Sequence, residues 1–278
     1  MKKTVKNLIT WSPSHLITSP KSAFTLAEVL ITLAIIGVVA AMTIPTLISD
    51  YQEKQTITAL KKNYAIFNEA FRLAYAENGD ISTWGFSELN HIENEDGSRD
   101  YDTEENLESG KLLFDKIKPY LKLVKTCEPY SADCMAPVEG TATKDYTIPY
   151  YSGILNNGTS FYLFGRDPNC AYVNDNANLA KPNPTKTLCA DLTIDINGKD
   201  KGENYWGKDV FRFSITQNGI FPRGIQSDDG FPFESYCHPL DGNRSTYGEA
   251  CTGWVIENSN MDYLHCSDLS WDDKRKCD

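Results

Sequence analysis

The sequence predicts an α+β chain, a long N-terminal helical spine packed on a small antiparallel β-sheet with a disulfide-stapled C-terminal lobe. Three features predict it: an uncharged run that passes into an amphipathic helical pattern, a middle region of β-prone runs broken at Asn-Gly, and eight cysteines that all follow residue 126.

The spine opens with VLITLAIIGVVAAMTIPTLI, Val29 to Ile48, twenty residues without a charge. At 1.5 Å per residue this is about 30 Å of helix, the thickness of a bilayer's hydrocarbon core. Lys2, Lys3, Lys6 and Lys21 precede it with no acid among them, which predicts a cytoplasmic N-terminus and the rest of the chain outside the inner membrane. Beyond Pro45 the pattern turns amphipathic. Ile57, Leu60, Tyr64, Phe67, Phe71 and Ala74 recur at three- and four-residue steps among polar residues, the period of a helix with one buried face. Asn78-Gly79 supplies a C-cap, and Pro45 a bend, because proline lacks the backbone donor and crowds the preceding turn.

Residues 79–108, polar and acidic, read as a loop. A second helix is expected from about Glu104 to Leu123, with Leu107, Leu112, Phe114, Ile117 and Leu121 as its apolar face and Pro119 disturbing its end. Strands follow: GILNNGTSFYLFG is two runs about Asn-Asn-Gly, LCADLTIDING alternates up to Asn-Gly, and DVFRFSITQNGIFP carries its own Asn-Gly. The tail from Tyr236 is expected to form a loop-rich lobe with Trp254, Tyr263 and Trp271 as its own small core.

Cys127, Cys134, Cys170, Cys189, Cys237, Cys251, Cys266 and Cys277 behind an export-like segment point to disulfides in an oxidising compartment. No CxxC or HxxxH occurs to favour a cysteine-metal site. Eight cysteines allow 105 connectivities; short loops close most easily, which favours pairing between neighbours, Cys127–Cys134, Cys170–Cys189, Cys237–Cys251 and Cys266–Cys277. The net charge of −11 argues against nucleic acid, since affinity for a phosphate backbone rests on lysine and arginine.

Glu28 stands out at the head of the apolar run. A secretory signal has a shorter apolar region with small residues at the cut, here Ala40 and Ala41, and a plain membrane anchor needs no acid. The stretch AFTLAEVLITLAIIGVVAAMTIP resembles, without a gap from Phe24 to Pro45, the N-terminal processing motif of type IV pilins and type II secretion pseudopilins. The resemblance implies cleavage between Ala23 and Phe24 by a prepilin peptidase, N-methylation of Phe24, and helix-bending positions at Gly37 and Pro45. It makes Glu28 an assembly residue facing the freed amine of a neighbouring subunit, a buried charge tolerated because it is paired. Two departures are visible: Ala23 stands where the family usually has glycine, and the leader is long.

The expected organisation is then a leader peptide over 1–23, a transmembrane and assembly helix over 24–48, the amphipathic half of the spine over 49–78, and a globular head over 79–278. Expected partners are the prepilin peptidase, other pilin or pseudopilin subunits, an inner-membrane assembly platform and membrane lipid, with the head in the periplasm and later in a filament or at the cell surface. Major pseudopilins carry a calcium site in a related loop, and here Asp195, Asn197, Asp200 and Asp209 are the residues to test, although their spacing is not that of an EF-hand. The other reading of the same loop is an Asx-turn hairpin.

No GxSxG elbow, HExxH or phosphate loop occurs, so the residues point to a structural subunit rather than an enzyme. The alternative is a secreted or membrane-anchored enzyme or binding protein that uses the apolar segment only for export. Between pilus and secretion pseudopilus, the 200-residue head favours a pilin or minor pilin.

Overall fold

The computed structural model describes residues 25–93, 95, 99–100, 103–139, 150–173, 183–202, 204–239 and 248–277. The leader, Ala23 and Phe24 lie outside the described residues. The chain divides into two compact units, Met1–Ser49 and Asp50–Asp278.

Helix α1 spans Leu26–Asn78 and includes both Gly37 and Pro45. In the first unit its large apolar side chains, among them Leu30, Ile36, Met42 and Leu47, are exposed. The helix is long and apolar enough to cross a membrane, with a mean hydropathy of 2.3 over its best window. In the second unit one face is buried through Leu60, Asn63, Phe67, Ala70, Phe71 and Ala74. The helix ends as Asn78-Gly79 implies: Gly79 takes φ 76°, where a side chain would be strained, and its N–H donates to Tyr75 O at 2.9 Å.

Helix α2, Glu104–Ile117, is capped by Thr103, whose hydroxyl accepts from the N–H of Asn106. It stops three residues short of Tyr120 because Pro119 forces a 3-10 turn, so the chain leaves the helix earlier than the apolar pattern implied. Leu113, not Leu112, faces the core; Leu112 is exposed.

Six strands form one antiparallel sheet: β1 Leu123–Cys127, β2 Ser152–Leu155, β3 Ser160–Gly165, β4 Ala190–Asp195, β5 Val210–Thr216 and β6 Gly219–Pro222, in the order β6-β5-β4-β3-β2-β1. β1 is a strand that the helical pattern up to Leu123 had hidden. The β2–β3 hairpin turns at Asn157-Gly158 and the β5–β6 hairpin at Gln217-Asn218, with Gly219 opening β6. Cross-strand partners Phe161, Ile194 and Phe211 share one face with Leu163, Leu192 and Phe213, as period-two alternation requires. That face receives α1. Phe67 meets Phe161 edge-on at 4.9 Å between ring centroids, and Tyr64 stacks on Phe213 at 5.2 Å.

Two expectations are corrected. The segment after α1 is not a bare polar loop, because Ile81, Trp84 and Phe86 are buried in the core. The tail has no separate core. Trp254, Tyr263 and Trp271 join the same cluster as Leu60, Phe67 and Phe213, since Phe233 stacks on Trp254 at 4.2 Å and carries the tail's aromatics onto the body. Four disulfides, Cys127–Cys134, Cys170–Cys189, Cys237–Cys251 and Cys266–Cys277, join cysteines adjacent in sequence order, and no cysteine is free.

Candidate functional site

At the start of α1 the Glu28 carboxylate folds back on its own helix. Oε2 accepts from both the N–H and the hydroxyl of Thr25 at 2.8 Å, and the N–H of Glu28 donates to Thr25 Oγ1 at 3.2 Å. This is a capping box: two of the N–H groups that every helix start leaves without an intrahelical acceptor are satisfied reciprocally. In hydrocarbon such groups have no water to turn to, so the cap is of greatest value at a membrane helix. The Thr-Leu-Ala-Glu signal at 25–28 was present in the sequence, but attention to the charge alone passes over it. Glu28 therefore has a local role in a single chain, in addition to any role between chains.

The second face of the sheet is buried and charged. Asp191, Thr193 and Asp195 of β4, with Arg212 and Ser214 of β5, alternate with the core residues and point away from α1. Arg166 Nε donates to Asp191 Oδ2 at 2.8 Å, and Arg223 Nη2 to Asp191 Oδ1. Arg223 Nη1 and Arg212 Nη1 both donate to Glu249 Oε2, at 2.9 and 3.0 Å, while Arg212 Nη2 donates to Tyr162 Oη at 3.0 Å. Arg223 is 1% exposed. Burial alone would push the Asp191 carboxyl up, but Arg223, Arg166 and Arg212 outweigh it and hold the group down at about 2.

At the other end of β4 the calcium candidates are partly assembled. Asp195 Oδ1 accepts from Gly198 N–H at 2.9 Å; Asp209 Oδ1 accepts from Tyr205 N–H at 2.6 Å and its Oδ2 from Asn197 Nδ2 at 3.0 Å. Burial, with the Asp209 charge adding to it, pushes the Asp195 carboxyl up to about 7, and burial also raises Asp209. The side-chain oxygens of Asn197 and Asn204 are buried and accept no hydrogen bond. Asn204, absent from the sequence-level set, donates to Ala136 O at 3.0 Å and lies 3.4 Å from Asp195 Oδ2. Asp200 is not brought in. It sits on the surface turn closed by Lys201 N–H to Gly198 O, with its carboxylate 85% exposed and 3.9 Å from Lys199 Nζ. Among the described residues no group of three or more His, Cys, Asp or Glu gathers for a metal. The amides of Asn197 and Asn204 turn their nitrogens toward the Asp209 and Asp195 carboxylates, so a hard cation such as calcium would need both amides to reverse and offer their bare oxygens.

An apolar, capped N-terminal helix followed by a disulfide-bonded α+β head defines the class. The prokaryotic N-terminal methylation motif, the signature of type IV pilins and pseudopilins, matches residues 18–44 and points to a pilin-like protein of the kind processed by a prepilin peptidase. The chain belongs to a family of unknown function, DUF6613, whose model matches residues 46–270. No curated protein and no solved structure matches it.

Proposed function

We propose that the chain is a structural subunit that is cut between Ala23 and Phe24, methylated on Phe24 and assembled with other pilin-like subunits into a filament at the cell envelope. The match of the methylation motif to residues 18–44 carries the reading. It is supported by the run of exposed apolar side chains from Leu26 to Ile48, which need lipid before assembly and neighbouring helices after it. The head's size favours a pilin or minor pilin over a secretion pseudopilin. Shearing cells and probing for the head tests the reading: recovery in long filaments that depends on the prepilin peptidase is expected, and release of the head as a free periplasmic monomer would overturn it.

We propose also that Asp195, Asn197, Asn204 and Asp209 hold a calcium ion that the head needs for stability, the Asn197 and Asn204 amides reversing from the carboxylates they donate to so that their bare oxygens meet the ion. The ion would supply the charge that two buried carboxylates lack. Without it, the raised Asp195 carboxyl makes the folded head bind more protons than the unfolded chain between about pH 4 and 7. The site's contribution is then fully present below about pH 4 and lost as pH rises through about 7, a swing of at most about 4 kcal/mol. In chelator the melting temperature should fall from pH 5 to pH 8, calcium should abolish that fall, and Asp195→Asn should flatten it. Asp195→Ala lowering the melting temperature equally with calcium and with chelator would favour a plain turn.

A further inference from the structure

One groove on this acidic head is bordered by lysine. Between α1 and the approach to β1 lies a groove of about 580 Å³ whose lining includes Lys62, Ile66, Tyr120, Lys122, Leu155 and Asn156. Lys62 and Lys122 are exposed, and so is Lys118, four residues before Lys122. The acids close by are already engaged. Glu69, which also lines the groove, accepts from Arg72 Nε at 2.9 Å and from Nη2 at 2.6 Å, and Glu77 accepts from the Tyr120 hydroxyl at 2.7 Å. Ile66 is half-buried and Leu155 buried, so the lysines border an apolar lining. On a chain of net charge −11 such a groove is a local attractor for anionic groups.

The outer face of α2 carries the matching pattern. Glu104, Glu108 and Leu112 recur at four-residue steps and so share one face, with Glu105 beside them, and all four are exposed. Leu113, Phe114 and Ile117 are buried in the core and turn that stripe outward. Among the described residues none of Lys62, Lys118, Lys122, Glu104, Glu105 and Glu108 is in a salt bridge. One copy does not pair these charges by itself, since about 20 Å of helix separates Glu104 from the Lys118 end of α2.

We propose that the Glu104–Glu108–Leu112 stripe of a second copy docks in this groove, its carboxylates on Lys62 and Lys122 and its leucine against Ile66 and Leu155. The two surfaces differ, so each contact leaves a free groove at one end and a free stripe at the other, and the contact repeats from copy to copy. Exposed ion pairs contribute little stability apiece; here they set which surfaces meet. The inference rests on the filament reading and names a head-to-head contact within it.

The test is a zero-length carbodiimide, which joins an amine to a carboxylate in direct contact, applied to sheared filaments of the full mature chain. Digestion of the covalent dimer is expected to yield a peptide joining Lys62 or Lys122 to Glu104, Glu105 or Glu108. Lys62→Glu/Lys122→Glu should lose that peptide and lower the yield of sheared filament at least about tenfold, by setting like charges against each other. Adding Glu104→Lys/Glu108→Lys to the same chain should restore both the yield and a crosslink, now with amine and carboxylate exchanged, whereas two unrelated folding defects would add. Wild-type filaments that give no such peptide, groove lysines joined to some other protein, or a fourfold variant no better than the double one would overturn the contact and leave the filament reading standing. Absence of filaments from wild-type cells would overturn both.

Discussion

Cells carrying only Glu28→Val are expected to accumulate cleaved subunit in the inner membrane and to yield little or none in sheared filaments. Insertion should not suffer, because removing an acid makes an apolar helix more favourable in lipid. Cleavage should persist, because the Ala23–Phe24 bond lies outside the changed position. Assembly should fail, because the incoming Phe24 amine would find no counter-charge, and losing one partner of a buried pair typically costs about 3–5 kcal/mol. The capping box adds a competing explanation, since valine also removes the acceptor for the Thr25 N–H. Glu28→Gln separates the two. Glutamine serves in a capping box as glutamate does, but it carries no charge. If the charge pairs between subunits, Glu28→Gln should assemble as poorly as Glu28→Val, and Glu28→Asp should retain part of the assembly. Wild-type filament from Glu28→Gln would assign Glu28 to capping alone.

The largest expected loss of head stability is from Asp191→Ala. The change removes the carboxylate that accepts from both Arg166 and Arg223, taking the Asp191 ion pair from Arg166 and leaving Arg223 with Glu249 and the nearby Asp228. Breaking a buried ionic network from one side costs about 3–5 kcal/mol, or roughly 10 °C of melting temperature in a head of this size. The Asp191 carboxyl is held at about 2, so its contribution is present above the ordinary carboxylate range and is lost only as pH falls toward 2. At pH 5 and pH 8 the destabilisation should therefore be the same. A melting temperature within about 2 °C of wild type would show that the network contributes nothing net.

The spine and hairpins were legible because they rest on local rules. A 3.6-residue apolar period and a terminal Asn-Gly define α1, and Asn-Gly between alternating runs defines the hairpins. The charged face was not legible for the same reason that the strands were. Alternation in DLTIDI assigns Asp191, Thr193 and Asp195 to the side away from the core, and the ordinary meaning of that side is solvent. Here they are at most 1% exposed, because segments from the long connections and the tail lie over them, and no local pattern announces that cover. Ile81, Trp84 and Phe86 were hidden by the acidic residues that follow them, and Leu113 by Leu112, which fits a helical face equally well on paper. At the candidate cation site the two aspartates and Asn197 came from composition within one loop. Asn204 and the exclusion of Asp200 came only with the turn geometry at Gly198.

The central claim is that residues 1–23 are removed by a prepilin peptidase. The intact mass of the membrane-extracted mature protein, measured without reduction, tests it most directly. The account predicts the mass of residues 24–278 with four disulfides and one added methyl group on Phe24. An uncut chain beginning at Met1, or an unmethylated chain beginning at Met42 after a cut beyond Ala41, would contradict it.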